Sequence, residues 1–452
     1  MRIRPAIIGA SRTNFRQGVN QMRRKFDLRW LSPVLLAALS TACTAPVGGA
    51  AVEADSARDL AVVAPESVGV SSARLERLEE GMQAFVDDRR LSAVHTVMAR
   101  HGKIVHSSLA GVRDIESGEL LTEDSIYRIY SMTKPITGVA MMMLYEEGKW
   151  RLNDPVTKFV PKFEGLQVYA GDDANGDPIL EPAKRSMTMQ ELMSHSSGLA
   201  YGLGAGNAVD QMYRERRVLD FSQPLQAMID NLAEIPLLYQ PGDRYFYSIA
   251  VDVQGYIVEK LSGQSFDEFL QERIFDPLGM IDTAFYVPES KIDRLALIHG
   301  EDEEGALTLP PMGAMPTTPP AGSSGGGGLY STMADYVRFV QMVLNEGELD
   351  GVRFLAPRSI EQMRTNHLSD QALSTMSPGN GFGLDFGVVM DPAAAGEPYS
   401  KGAFRWGGAA GTWFWIDPVE DFVFVGMIQH RGRAVRDVQG QSRNLAYQAI
   451  LD

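Results

Sequence analysis

A chain of 452 residues with 44% apolar and 22% charged side chains has the length and balance of a folded globular protein, built as two or three domains or one large elaborated one. Its formal net charge of −15 understates an acidic body, because residues 1–42 hold eight Arg and Lys against one Asp and leave the remainder at −22. Such a body repels nucleic acid and offers no basic footprint to anionic membranes, and seven scattered histidines without a His-Glu-x-x-His or Cys/His cluster give no metal site.

The first segment reads as an address rather than as fold. Met22-Arg23-Arg24-Lys25 precedes a short apolar run from position 30 to 39, too short to span a bilayer as a helix. Residues 1–21 read as an upstream extension, with Met22 the more natural start. The single cysteine follows in Leu39-Ser40-Thr41-Ala42-Cys43, which resembles a bacterial lipoprotein cleavage site with Cys43 as the acylated first residue. Ser40 stands where such sites usually carry an aliphatic residue, and ordinary cleavage near Ala50 or Ala51 is the alternative. Either route exports the protein, as a periplasmic or membrane-anchored form without a disulfide. Residues 44–65 are small and polar, a linker.

Beyond it, Leu75, Leu78, Met82 and Phe85 predict a helix over 70–87. Strands are expected over 92–100 and 103–111, joined by a tight hairpin at His101-Gly102. A helix starts at Ser131, with Ile136, Val139, Ala140, Met143 and Leu144 on one face and Gly148 as its stop. A Gly-, Asp- and Pro-rich stretch breaks the pattern at 171–182. Helix-period segments then run over 189–193, 225–233, 249–261 and 266–274. After a tract of Pro, Gly, Ser and Thr over 309–328, Thr332 and Asp335 mark a capping box for a helix that Gly347 ends. Strand alternation returns at 382–389, 403–407, 412–416 and 422–428, before a closing helix over 434–449.

The chemistry concentrates at Ser131-Met132-Thr133-Lys134. Residues i and i+3 share a helix face, so the Ser131 hydroxyl and Lys134 amine can meet. A serine is a weak nucleophile until a neighbouring base or cation assists it. Burial and the positive end of the helix dipole are both expected to lower the Lys134 pKa, which would let it relay a proton at neutral pH. The Ser131 N–H at the helix start is free for an oxyanion. A capped helix with a surface lysine would spell the same tetrad. Gly322-Ser323-Ser324-Gly325-Gly326 spells a second serine motif, G-x-S-x-G, but no strand leads into it as a nucleophile elbow requires.

Two further stretches join the tetrad: Pro241-Gly242-Asp243-Arg244-Tyr245-Phe246-Tyr247-Ser248, followed by the run from Val253 to Gly263, and Trp406-Gly407-Gly408-Ala409-Ala410-Gly411-Thr412. With Tyr130-Ser131-Met132-Thr133-Lys134-Pro135 and Ser194-His195-Ser196-Ser197-Gly198-Leu199, they resemble, in order and over roughly 66–450, one superfamily. It comprises the class C β-lactamases, the related D-Ala-D-Ala peptidases and the family VIII carboxylesterases. The resemblance implies an α+β fold of the β-lactamase/transpeptidase kind, an antiparallel sheet flanked by helices. It implies Ser131 as the acylated nucleophile, Lys134 as its proton partner and Tyr247 as general base. It also implies backbone oxyanion donors at Ser131 and Ala409, a substrate-binding edge at Trp406, Gly407 and Gly408, a structural His195, and no cofactor.

Departures from the pattern inform substrate choice. Lactam-cleaving relatives carry Tyr-x-Asn and Lys-Thr-Gly, where this chain has Tyr247-Ser248-Ile249 and Trp406-Gly407-Gly408. An apolar, uncharged rim is therefore expected, with a carboxylic ester as substrate. The alternatives are a β-lactamase or D-Ala-D-Ala peptidase and an inactive envelope-binding protein. The domain plan is a core over 66–165 and 325–452 around a mostly helical insertion over 166–324.

Overall fold

In the computed structural model of the chain, residues 58–204, 206–310 and 316–452 are described; the targeting segment, Cys43 and most of the linker lie outside them. The architecture rests on a seven-stranded antiparallel sheet. Numbered along the chain, its strands are β1 (Ala93–Arg100), β2 (Lys103–Gly111), β3 (Asn380–Phe382), β4 (Gly387–Val389), β5 (Phe404–Gly407), β6 (Trp413–Asp417) and β7 (Phe422–Met427). They lie in the spatial order β3-β4-β5-β6-β7-β1-β2, so the two ends of the sequence meet where β7 pairs with β1. The β1–β2 hairpin turns at His101 and Gly102, both at positive φ (51° and 72°), the backbone that a two-residue turn between twisted strands requires.

Both faces of this sheet are covered, which explains why its strands read as nearly continuous apolar runs although they are antiparallel. Side chains alternate along a strand. Trp413 and Trp415 of β6, with Phe422 and Phe424 of β7, pack beneath the helices Ser72–Asp87 and Ala434–Tyr447. Phe414 and Ile416, with Val423 and Val425, face the other way, toward the helix Met333–Leu344. A fully buried side chain of this size contributes about 1.5–3 kcal/mol relative to exposure.

On that second side lies the helix Thr133–Glu146, buried along its whole length as far as Leu144 and packed against the helix Ala250–Ser262. Glu147 caps it, Gly148 follows at φ 73°, and buried Trp150 closes the end by donating to Met141 O at 2.8 Å. The helix Met333–Leu344 begins as its sequence implies, with Thr332 Oγ1 accepting from the Asp335 N–H. The stretch 166–324 supplies the helices Met189–Met193, Ala208–Glu215, Leu225–Leu232, Ala250–Ser262 and Phe266–Leu270, and the last of these runs on into a π-helical turn, Gln271–Phe275. The described residues form one compact unit.

Three elements depart from the sequence expectation. The single strand expected over 382–389 is two short strands, β3 and β4, paired with each other. Phe382, Leu384, Phe386 and Val388 alternate as one strand would, but Asp385 takes φ 63° and folds the chain back between them. The break at 171–182 instead builds a two-stranded ribbon, Gln167–Asp172 with Pro178–Pro182, turning around Asp173, whose carboxylate accepts from the Asn175 and Asp177 N–H groups. The amphipathic helix Ala208–Glu215 has no counterpart in the expected elements; Asn207 caps it by accepting from the Asp210 N–H.

Candidate active site

Ser131 sits on a strained turn. Tyr130 holds φ 43°, a left-handed conformation rarely adopted by a bulky residue, and Tyr130–Met132 close a 3-10 turn ahead of the Thr133–Glu146 helix. Met132, not Ser131, occupies the N-cap position, and Ser131 makes no capping bond. The missing cap leaves its hydroxyl free for other partners. Three contacts fix the turn: Ile129 N–H donates to Leu329 O at 3.1 Å, Tyr336 OH to Met132 O at 2.8 Å, and Thr412 Oγ1 to Ile129 O at 3.4 Å.

The Tyr247 hydroxyl donates to Ser131 Oγ at 2.7 Å, and Lys134 Nζ stands 3.4 Å from the same oxygen. Lys134 is fully buried. Its ammonium also donates to Gly326 O at 2.6 Å and to Tyr201 OH at 3.0 Å, so three acceptors meet three N–H groups. Burial alone would push its pKa down, but Tyr247, Tyr201 and Asp252 together outweigh burial and hold it above the ordinary lysine value. The expectation of a lowered pKa is thus corrected: the oxygens gathered around the amine outweigh its burial. Lys134 is a cation at neutral pH, and its Nζ lies 4.5 Å from the centroid of the Tyr247 ring.

Two contributors are absent from the sequence expectation. Tyr201 stands two residues beyond the Ser194–Leu199 stretch, and burial raises the pKa of its hydroxyl. Asp252 lies within the buried apolar start of the Ala250–Ser262 helix, where an unexplained acid is itself a signal. Burial raises its carboxyl pKa, with Lys134 opposing, and its Oδ1 accepts from Ser324 Oγ at 2.6 Å and from the Gly326 N–H at 2.9 Å. That accounts for the glycine run, because a Cβ on Gly326 would press into the Asp252 carboxylate. Ser324 is bound to Asp252 and Ser323 is buried, and neither bonds to Lys134 or Tyr247.

His195 is buried, and burial followed by the charge of Lys134 holds its pKa well below the ordinary value. Its Nδ1 accepts from the Ser248 N–H at 3.2 Å, and its ring packs 4.8 Å from that of Tyr247. A neutral imidazole there supports Tyr247 and does not reach Ser131.

Trp406 and Gly407 end β5, and the turn at Gly408 to Gly411 leads into β6. A Cβ on Gly408 would collide with Ile129 O and Thr412 Oγ1, so the glycine lets this hairpin touch the backbone two residues before Ser131. A cavity of about 450 Å³ opens over the site. Ser131, Tyr201, Tyr247 and Ala409 border it; Trp406, Gly407 and Gly408 do not. Trp406 stands behind Tyr247, with ring centroids 5.4 Å apart, and meets Phe382 edge-on at 5.2 Å. Among the described residues, neither the Ser131 nor the Ala409 amide donates to a partner. Leu203, Leu219, Phe221 and Phe285 give the cavity an apolar wall, while Arg128 and Arg431 stand in its lining, so the expected uncharged rim is not what the fold builds. No group of three or more His, Cys, Asp or Glu able to hold a metal ion occurs among the described residues.

Comparison with known proteins gives the family and the fold. The sequence profile of the family described as Beta-lactamase matches residues 76–448. An uncharacterized protein of Mycobacterium tuberculosis is 39% identical over 366 residues, covering 78% of this chain and 90% of its own. Esterase EstB of Burkholderia gladioli is 30% identical over 369 residues, covering 77% and 89%. Among solved structures, EstCE1, described as a hydrolase with promiscuous acyltransferase activity, superposes with a TM-score of 0.70 at 25% identity, covering 83% of this chain and 98% of its own.

Proposed function

Because the chain belongs to the beta-lactamase family of serine hydrolases, we propose that it cleaves carboxylic esters through an acyl-enzyme on Ser131. The observation that carries the proposal is the single oxygen, Ser131 Oγ, approached by Tyr247 OH at 2.7 Å and Lys134 Nζ at 3.4 Å on the floor of a cavity beside two unpartnered amides. Tyr247 acts as the general base, taking the serine proton as Oγ attacks the ester carbonyl, with the Lys134 Nζ 4.5 Å from its ring centroid. The Ser131 and Ala409 N–H groups receive the oxyanion. Tyr247 returns the proton to the departing alcohol, and a water then repeats the sequence on the acyl-enzyme, releasing the acid. In this scheme Lys134 keeps its proton and acts on Ser131 and Tyr247 through its charge.

The similarity to esterase EstB and EstCE1 supports an ester over a lactam as substrate. The test is labelling with a fluorophosphonate followed by peptide mapping, beside turnover of 4-nitrophenyl butyrate and benzylpenicillin. The adduct should fall on Ser131, and Ser131→Ala should lose label and ester turnover together, by several orders of magnitude in kcat. An adduct on Ser323 or Ser324, or penicillin cleaved as efficiently as the butyrate ester, would reject the proposal.

A further inference from the structure

The cavity lining holds two kinds of side chain: the apolar Leu203, Leu219, Phe221 and Phe285, and the polar Arg128, Arg431, Tyr130 and Tyr330. The two guanidiniums gather on one ring: the Arg128 Cζ lies 4.4 Å and the Arg431 Cζ 5.4 Å from the Tyr130 centroid, and Arg431 Nη2 donates to Tyr130 OH at 2.8 Å. That ring belongs to the residue preceding Ser131. Arg128 comes from the short strand Ile126–Arg128, paired with Tyr330–Thr332, and its Nε is buried with no partner among the described residues.

Nearby carboxylates are already engaged. Glu301 receives His430 at 3.2 Å, the Ala434 N–H at 3.3 Å and Arg433 at 3.6 Å. Asp252, also in the lining, is bound to Ser324 and Gly326 and faces Lys134. Two guanidiniums without a carboxylate partner among the described residues therefore stand in the cavity of a chain whose net charge is −15.

Resting on the esterase proposal above, we propose that the preferred substrates are esters carrying a carboxylate, with that anion held between Arg128 and Arg431 and the apolar remainder against Leu219 and Phe221. Guanidinium forks match carboxylates in two parallel bonds, and partial exclusion of water strengthens them. This places anion recognition on Arg128 of the strand before Ser131 and on Arg431 of the short strand His430–Arg431, instead of on β5, where Trp406 stands.

The experiment compares matched esters: 4-nitrophenyl butyrate against mono-4-nitrophenyl glutarate, which puts the carboxylate on the acyl chain, and against 3-carboxy-4-nitrophenyl butyrate, which puts it on the leaving group. Each kcat/KM is normalised to the hydroxide-catalysed rate of that ester. One charged ester should exceed its neutral partner by roughly 10-fold or more, as expected for a charge-assisted contact. Added salt should shrink the ratio. Arg431→Gln, at an exposed position, and Arg128→Gln should each bring the ratio toward one. Ratios at or below one for both charged esters, or a preference that survives in both variants, would overturn the inference while leaving ester hydrolysis standing. Failure of the enzyme to turn over any of the three esters would remove both proposals.

Discussion

The approach of the Gly408 hairpin to the Ser131 turn supports a quantitative prediction. Replacing Gly408 by alanine adds one methyl group facing Ile129 O and Thr412 Oγ1, both nearer than the 3.0 Å inside which real Cβ atoms essentially never come. Ordinary contact begins near 3.4 Å, so relief requires the hairpin and the turn to part by a distance on the order of 1 Å. The Ala409 amide travels with the hairpin, and Ile129 lies two residues from the nucleophile. A misplacement of that size in a preorganised site costs about 10²-fold in rate. Gly408 does not need a left-handed backbone, so the effect is steric and local. Steady-state kinetics on a nitrophenyl ester, beside thermal melting, should show kcat down about 100-fold with KM changed little. Unaltered kcat accompanied only by a lower Tm would mean that the placement of Ala409 has no part in the chemistry.

Tyr247→Phe keeps the ring packing against His195 and Trp406 but removes the oxygen bonded to Ser131; kcat should fall by about 10²–10⁴-fold, the range for general acid–base catalysis, and near wild-type turnover would assign the proton to another group. Asp252→Asn removes one influence that raises the Lys134 pKa. Since a raised lysine pKa sustains the cation below it and loses it as pH climbs through it, the alkaline limb of the kcat/KM profile should move to lower pH. A gain in activity near pH 7 would show instead that Lys134 works as a neutral base. Trp406→Phe should lower kcat through a looser Tyr247, with the ester-to-penicillin ratio little changed, because the indole stands behind Tyr247 and does not border the cavity; a large shift in that ratio would return specificity to Trp406.

What could be read from the sequence was local. The Ser131 and Lys134 spacing, the hairpin at His101-Gly102 and the strands around Trp413 and Phe422 each show in a short window, because periodicity and turn chemistry are written there. Tyr247 was found through a motif whose order in the chain is itself a signal. The rest depends on contacts distant in sequence. Lys134 meets Gly326 across 192 positions and Tyr201 across 67, and the groups that raise its pKa, Tyr247, Tyr201 and Asp252, all lie far from it in sequence. The charged lining escaped notice because Arg128 and Arg431 are about 300 residues apart and meet only through the Tyr130 ring. The strand pair β3 and β4 was read as one because an aspartate at positive φ leaves no mark on apolar alternation.

The glycine tract opposite Ser131 has a practical consequence for anyone redesigning this enzyme. One peptide unit, Gly326, offers its carbonyl to Lys134 and its amide to Asp252 while also bordering the cavity. Enlarging or recolouring the pocket from that side would disturb the lysine in the same stroke, so variation there should come out nearly always inactive. Leu203, Leu219 and Phe221, also in the lining, have no side-chain bond to Ser131, Lys134 or Tyr247 among the described residues. Libraries confined to those three positions should therefore trade substrates while keeping turnover, so the same cavity has adjustable positions and one fixed peptide unit.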